Sequence, residues 1–145
     1  MTGTDLLERF AQAAPLDVFG IDADAVGGVA DLPQDRLHDE MARRRVYVHP
    51  IRWTSLGLSL LEAMHLAMPV VVLGTTEVHE AVPPEAGTVS TKVDVLAGAM
   101  RRLIADPDEA RERGEAAREA ALARYGLRRF LSDWDEVLAP VEVAA

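Results

Sequence analysis

The sequence predicts an α/β fold, a parallel sheet flanked by helices, and three observations carry that prediction. Two short runs, Val46-Tyr47-Val48 and Val70-Val71-Val72-Leu73, are continuously apolar rather than alternating, as strands are when helices cover both faces of a parallel sheet. A stretch with helical character, Leu58 to Leu66, lies between them, so strand, helix and strand follow in the order of a right-handed crossover unit. Each run gives way to a turn signal, Pro50 after the first and Gly74 after the second. In such sheets ligands bind beyond the carboxyl ends of the strands, which directs attention to 20–24, 50–57 and 74–77.

Each element has a local reason. Leu6, Phe10 and Ala13 share one face of a helix over 5–13, with Thr4 as its N-cap and Pro15 closing it. Leu16 to Ile21 reads as a short buried strand, followed by an irregular stretch as far as Pro33. Leu37 and Met41 mark a helix from Gln34 to Arg44, and the strand Arg45 to His49 follows. The helix Leu58 to Leu66 is apolar nearly all round apart from Ser59, Glu62 and His65, which predicts burial and demands a reason for its one carboxylate. After the strand Pro69 to Gly74 come a short helix Glu77 to Ala81 and a strand Gly87 to Ser90. Three helices complete the chain: Lys92 to Ala105, Pro107 to Tyr125 with Pro107 at the first helical position, and Leu127 to Leu138 after Gly126.

At 145 residues the chain fits one domain, taken as 1–139 with a frayed tail at 140–145. Its 49% apolar and 27% charged residues are those of a globular protein, and no window reaches the roughly 18 apolar residues of a membrane span. The N-terminus has neither the basic nor the apolar region of a secretory signal, and the absence of cysteine removes disulfide and thiolate chemistry; both fit a cytoplasmic protein. A net charge of −9 argues against a broad nucleic-acid face. Arg43-Arg44-Arg45 and Arg101-Arg102 are local exceptions near helix ends, where cations meet the negative end of the dipole.

Chemistry concentrates in His49 to Met64. A strand end, a loop and a helix start make an anion site, because the first N–H groups of a helix have no internal partner. Gly57 allows close backbone approach, or is an ordinary turn residue. Glu62 is either a ligand acceptor or a buried carboxylate paired with Arg52; Arg52 offers a fork to a phosphate or a structural ion pair. His49 flanks the same turn. The four histidines, His38, His49, His65 and His79, show no metal-ligand spacing, and Glu77-Val78-His79-Glu80 reads as surface or as a contact to sugar or phosphate. No dinucleotide fingerprint, Walker A motif or serine elbow occurs.

Gly57-Leu58-Ser59-Leu60-Leu61-Glu62-Ala63-Met64, followed by Met68-Pro69-Val70-Val71, resembles the nucleotide-sugar-binding part of GT-B glycosyltransferases of the family 4 type, the glycosyl transferase group 1. The likeness runs from about residue 16 to 138 and takes in Gly87-Thr88-Val89, Asp106-Pro107 and the Arg124-Tyr125-Gly126-Leu127-Arg128-Arg129-Phe130 to Trp134 pattern. It implies the C-terminal Rossmann-like half of a GT-B fold with its closing helices. It further implies that Glu62, the second glutamate of the family's Glu-x7-Glu motif, accepts from the ribose hydroxyls, while the amides of Gly57, Leu58 and Ser59 hold the diphosphate. Thr54, Ser55 and Arg52 complete the expected donor-binding set. Transfer in such enzymes retains anomeric configuration and needs no metal or other cofactor.

Two departures limit the activity the resemblance implies. Thr54 stands eight residues before Glu62, where the family has its first glutamate, so no charge meets the donor sugar there. The acceptor-binding half and the family's early Arg and Lys pair have no counterpart. The expectation is therefore a donor-binding domain, incomplete at its N-terminal end, that transfers a sugar to an acceptor hydroxyl only with an acceptor-binding half or partner chain. No catalytic residue is assigned, and the chain alone is expected to be inactive. The rival is a non-catalytic binding or interaction module that kept the fold. An incomplete sheet would also leave Leu16 to Ile21 as an exposed edge, open to a second copy.

Overall fold

The computed structural model describes residues 3–53 and 55–139. At its centre a three-stranded parallel sheet runs in the order β1 (Tyr47–His49), β2 (Val70–Leu73) and β3 (Gly87–Ser90). β2 is paired on both sides, with Val70 opposite Tyr47 on one and Gly87 on the other. All four of its residues are buried, which accounts for a run that is apolar without alternation.

Around the sheet lie α1 (Leu7–Ala11), α2 (Gln34–Ala42), α3 (Leu58–His65), α4 (Val78–Ala81), α5 (Val93–Ala105), α6 (Pro107–Tyr125) and α7 (Leu127–Leu138). The two-residue period of β2 divides the core. Val70 and Val72 join Met41, Leu60, Ala63, Met64, Ala117 and Ala121 on the face covered by α3 and α6. Val71 and Leu73 join Phe10, Leu96, Met100 and Leu103 on the face covered by α1 and α5.

Close approach sets the first of these layers. On α6 the buried residues Ala110, Gly114, Ala117 and Ala121 are all small, so this helix comes near α3 and the turn that ends it. A Cβ on Gly114 would lie 2.0 Å from the Ala67 carbonyl oxygen. The start of α6 follows its sequence signal: Pro107 stands in the first turn and the Asp106 carboxylate accepts from the Asp108 and Glu109 amides at 3.1 and 3.0 Å.

Some expectations change. Leu16 to Ile21 is not a strand; one isolated parallel bridge joins Phe19 to Val29, and the segment folds on itself through Val29 N–H to Val18 O and Gly20 N–H to Val29 O. Gly20 at φ 141° and Asp22 at φ 57° break the extended path, and Ile21 is 87% exposed rather than buried. The edge of the sheet on this side is therefore β1, and β3 is the edge strand on the other. Since Tyr47 N–H donates to Pro69 O at 3.0 Å, the alternation of a parallel ladder turns the backbone groups of Val48 to the open side. The first helix opens as a 3₁₀ turn, Thr4–Leu6, with Gly3 rather than Thr4 at the cap position, and α1 ends at Ala11. α3 is not buried all round: Leu60, Ala63 and Met64 are, but Leu58 is 76% exposed. The expected frayed tail at 140–145 lies outside the described residues. Among the described residues no helix is long and apolar enough to cross a membrane.

The same substitution in two helices separates contact from propensity. Gly114→Ala meets the Ala67 carbonyl and is expected to destabilise by about 2 kcal/mol. Gly98→Ala, on α5 with nothing within 4 Å of the added Cβ, is expected to stabilise by up to about 1 kcal/mol. Urea midpoints of the two variants check this; a stabilised Gly114→Ala would refute the packing argument.

Candidate functional site

The loops after β1 and β2 meet at the carboxyl ends of the strands. Thr75 Oγ1 donates to the Ile51 carbonyl at 3.0 Å, and the Ser55 carbonyl accepts from Thr76 Oγ1 at 3.0 Å and from Glu77 N–H at 3.3 Å. The loop is thus held where it enters α3. Gly57, just before that helix, is extended at φ −72°, so its glycine answers a need for space rather than for a left-handed turn. A Cβ there would lie 2.6 Å from His49 Cε1.

The hydrogen-bond ladder of α3 begins with Leu60 N–H donating to Gly57 O at 3.1 Å. No described side chain caps the preceding amides, which include Leu58 and Ser59. The positive end of the dipole and these N–H groups face the strand-end loops, the arrangement that takes an anion.

Behind the turn lies a buried polar corner. Tyr47 Oη donates to Ser59 Oγ at 2.9 Å and stands 3.2 Å from His49 Nδ1. Burial, reinforced by the charge of Glu62, pushes the Tyr47 phenol up to about 12; burial also pulls His49 down to about 4. Both rings are therefore neutral near pH 7. His49 is 1% exposed, and its Nε2 has no partner among the described residues. Glu62 Oε1 accepts from Gln34 Nε2 at 3.3 Å, and His38 Nε2 lies 3.8 Å away, too far for a hydrogen bond but within ion-pair range if protonated. This corner ends a cavity of about 650 Å³ that follows the open edge of β1 past Leu37, Met41, Val46 and Val48.

Of the residues expected to bind a donor, Gly57, Leu58, Ser59 and Glu62 fall together on the first turns of α3, and Ser55 ties its loop to the next one. Arg52 is ion-paired with Asp5 and holds that carboxyl below its usual range, so Glu62 does not have Arg52 as its partner. Thr54 lies outside the described residues. Gln34, His38 and Tyr47 were not legible as site residues. Gln34 and His38 are four apart on one face of α2, the only available signal, and Tyr47 sits inside an apolar run.

The remaining polar clusters are structural. Arg44 bonds Glu40 and Asp17, Arg102 bonds Glu109, and Glu80 bonds Arg124. Among the described residues no group of three or more His, Asp or Glu could hold a metal ion.

The family model described as glycosyl transferases group 1 matches residues 24–120. The chain is 31% identical over 103 residues to alpha-maltose-1-phosphate synthase of Mycolicibacterium smegmatis, which spans 65% of this chain and 27% of that protein. Its fold is similar to that of a Staphylococcus aureus TarM variant solved with fondaparinux, alpha-GlcNAc-glycerol and UDP (TM-score 0.80, 18% identity), covering 97% of this chain and 34% of that one. It is likewise similar to WaaG, a glycosyltransferase involved in lipopolysaccharide biosynthesis (TM-score 0.72, 19% identity, 96% and 44%). Sucrose-phosphate synthase from Thermosynechococcus elongatus aligns with a TM-score of 0.71 at 23% identity over 92% of this chain and 33% of that one. The chain thus spans less than half the length of each of these proteins, and its fold is that of the C-terminal Rossmann-like part of GT-B glycosyltransferases.

The buried imidazole has a measurable signature. His49 titrates near 4 when folded and near 6.5 when unfolded, so the unfolded chain takes the proton first. Its contribution is complete above pH 6.5 and is lost as pH falls towards 4, to a ceiling of about 3 kcal/mol. Unfolding free energies at pH 7 and pH 4.5 should fall further apart in the native sequence than in His49→Gln; equal differences would refute a neutral, buried His49.

Proposed function

The chain belongs to the glycosyl transferases group 1, and from that premise we propose that it is the donor-binding part of a GT-B enzyme that transfers a sugar from a nucleoside-diphosphate carrier to an acceptor hydroxyl. The observation that carries this reading is the start of α3, with no described side chain capping its first amides and the carboxylate of Glu62 one turn further on. The Gly57, Leu58 and Ser59 amides take the diphosphate, each N–H meeting an anionic oxygen without a metal ion between them. Glu62 takes the vicinal ribose hydroxyls, its oxygens being acceptors with about four lone-pair sites. Gln34 holds one oxygen of that carboxylate by its hydrogen bond, with the His38 ring nearby. The presence of UDP in the TarM complex supports a uridine or similar diphosphate as the ligand class.

Chemistry needs more than this surface. The acceptor-binding half, or a partner chain, supplies the acceptor and the cations that neutralise the departing diphosphate, and it closes the cavity along β1. A cytoplasmic setting and retention of anomeric configuration belong to the same reading. The second reading, a non-catalytic module that keeps the fold, draws on Arg52: its guanidinium is engaged by Asp5, and with Thr54 in place of a glutamate the turn offers little charge for catalysis.

Calorimetric titration of UDP and GDP tests the proposal. Binding near or below about 1 mM is expected, weakened about tenfold (roughly 1.4 kcal/mol) by Glu62→Ala, with no release of nucleotide from any nucleotide sugar by the chain alone. No binding at several millimolar would leave only the module reading, and turnover without a partner would refute the need for a second half.

A further inference from the structure

The polar corner behind the turn into α3 holds protons that can be placed one after another. A phenol carries a single proton, and Tyr47 gives its own to Ser59 Oγ at 2.9 Å. His49 Nδ1, 3.2 Å from the same phenol oxygen, therefore carries a proton and donates it to that oxygen. His49 Nε2 is left as a bare lone pair, and this accounts for its having no partner among the described residues on a side chain only 1% exposed. A buried lone pair goes unmet more readily than a buried N–H.

The donors thus run one way, from His49 through Tyr47 to Ser59, and end on a hydroxyl. Ser59 Oγ has taken a proton from Tyr47, so it has its own to offer, and no described residue accepts it. Ser59 is the second residue of α3, among amides that no described side chain caps, and it stands three before Glu62 on the same helix face. Both residues line the cavity at this corner. The imidazole behind them is held in place and directed at the turn, since a Cβ on Gly57 would lie 2.6 Å from His49 Cε1 and 3.0 Å from Nε2.

We propose that the Ser59 hydroxyl donates to a phosphate oxygen of the nucleoside diphosphate, and that Tyr47 and His49 are positioning residues that orient it. The proposal rests on the donor-binding reading given above and adds to the backbone amides a side-chain donor aimed before the ligand arrives. An anionic oxygen is the acceptor that gains most from such a donor. Both rings are neutral near pH 7, which preserves the direction of the chain; an ionised phenol would take the Ser59 proton instead.

Calorimetric titration of UDP into the full chain and its variants tests this, with circular dichroism checking the fold of each. Ser59→Ala should weaken binding about tenfold, the loss of one hydrogen bond to a charged group. Ser59→Thr, which keeps the hydroxyl, should stay within about twofold of the native chain. Tyr47→Phe should weaken binding about threefold by itself and not at all in the Ser59→Ala background, because its effect passes through that hydroxyl. Nitrogen-15 resonances of the imidazole should show His49 protonated at Nδ1 and bare at Nε2. Native-strength binding by Ser59→Ala, with Glu62→Ala still weakened, overturns this proposal and leaves the donor-binding reading standing. A native chain that binds no UDP at several millimolar overturns both. Equal costs of Tyr47→Phe in the two backgrounds, or a His49 protonated at Nε2, overturn the positioning roles.

Discussion

The structure depends on one strand that is enclosed from every side. β2 has a neighbour on both edges and helices on both faces, and its four residues are the junction of two otherwise separate apolar layers. Burying a Val or Leu side chain is worth about 1.5 to 3 kcal/mol, so this short run supplies a large share of the net stability of a domain. Its position also decides the site. With β2 fixed, the ends of β1 and β2 lie side by side, and the loops that leave them can share hydrogen bonds.

The second constraint is the fit of His49 against Gly57. A buried imidazole fills the space that any other residue at position 57 would claim, and the turn into α3 follows its contour. The neutral rings of His49 and Tyr47 bring no charge to the back of the turn, which leaves the field at the helix start to the backbone amides and to Glu62. Arg52, the one cation of the loop, is ion-paired with Asp5. An anion at this turn would therefore be held by dipoles more than by ions, a mode less sensitive to salt than an array of lysines would be.

Two surfaces of the described residues are left open. Along β1 an apolar cavity follows a strand edge whose outward backbone groups have no strand partner among the described residues. On α7 an apolar stripe faces solvent. Both are features that a globular protein ordinarily covers, and the chain spans about a third of TarM and of sucrose-phosphate synthase. The two differ in what they fit. β1 presents a strand edge, whereas α7 presents an apolar helix face.

Sequence by itself determined the architecture around β2: Val70 to Leu73 as a doubly covered strand, Val46 to Val48 beside it, the helix between them, and Pro107 opening the long helix that packs on it. These are local patterns of burial and capping that read out without knowledge of distant partners. It also determined which residues share the start of α3, since Gly57, Leu58, Ser59 and Glu62 lie within two turns of one helix. Tertiary structure decided what no local pattern contains. Leu16 to Ile21 looks like a strand, but with no neighbouring strand to pair with, Gly20 and Asp22 turn it back on itself. The partners of Glu62 come from α2, which is 20 residues or more away in the chain and adjacent only after folding; Arg52 was lost to Asp5 for the same reason. Periodicity records which face of an element is buried, whereas the choice of partner for a charge is made by whatever the fold brings within about 4 Å of it.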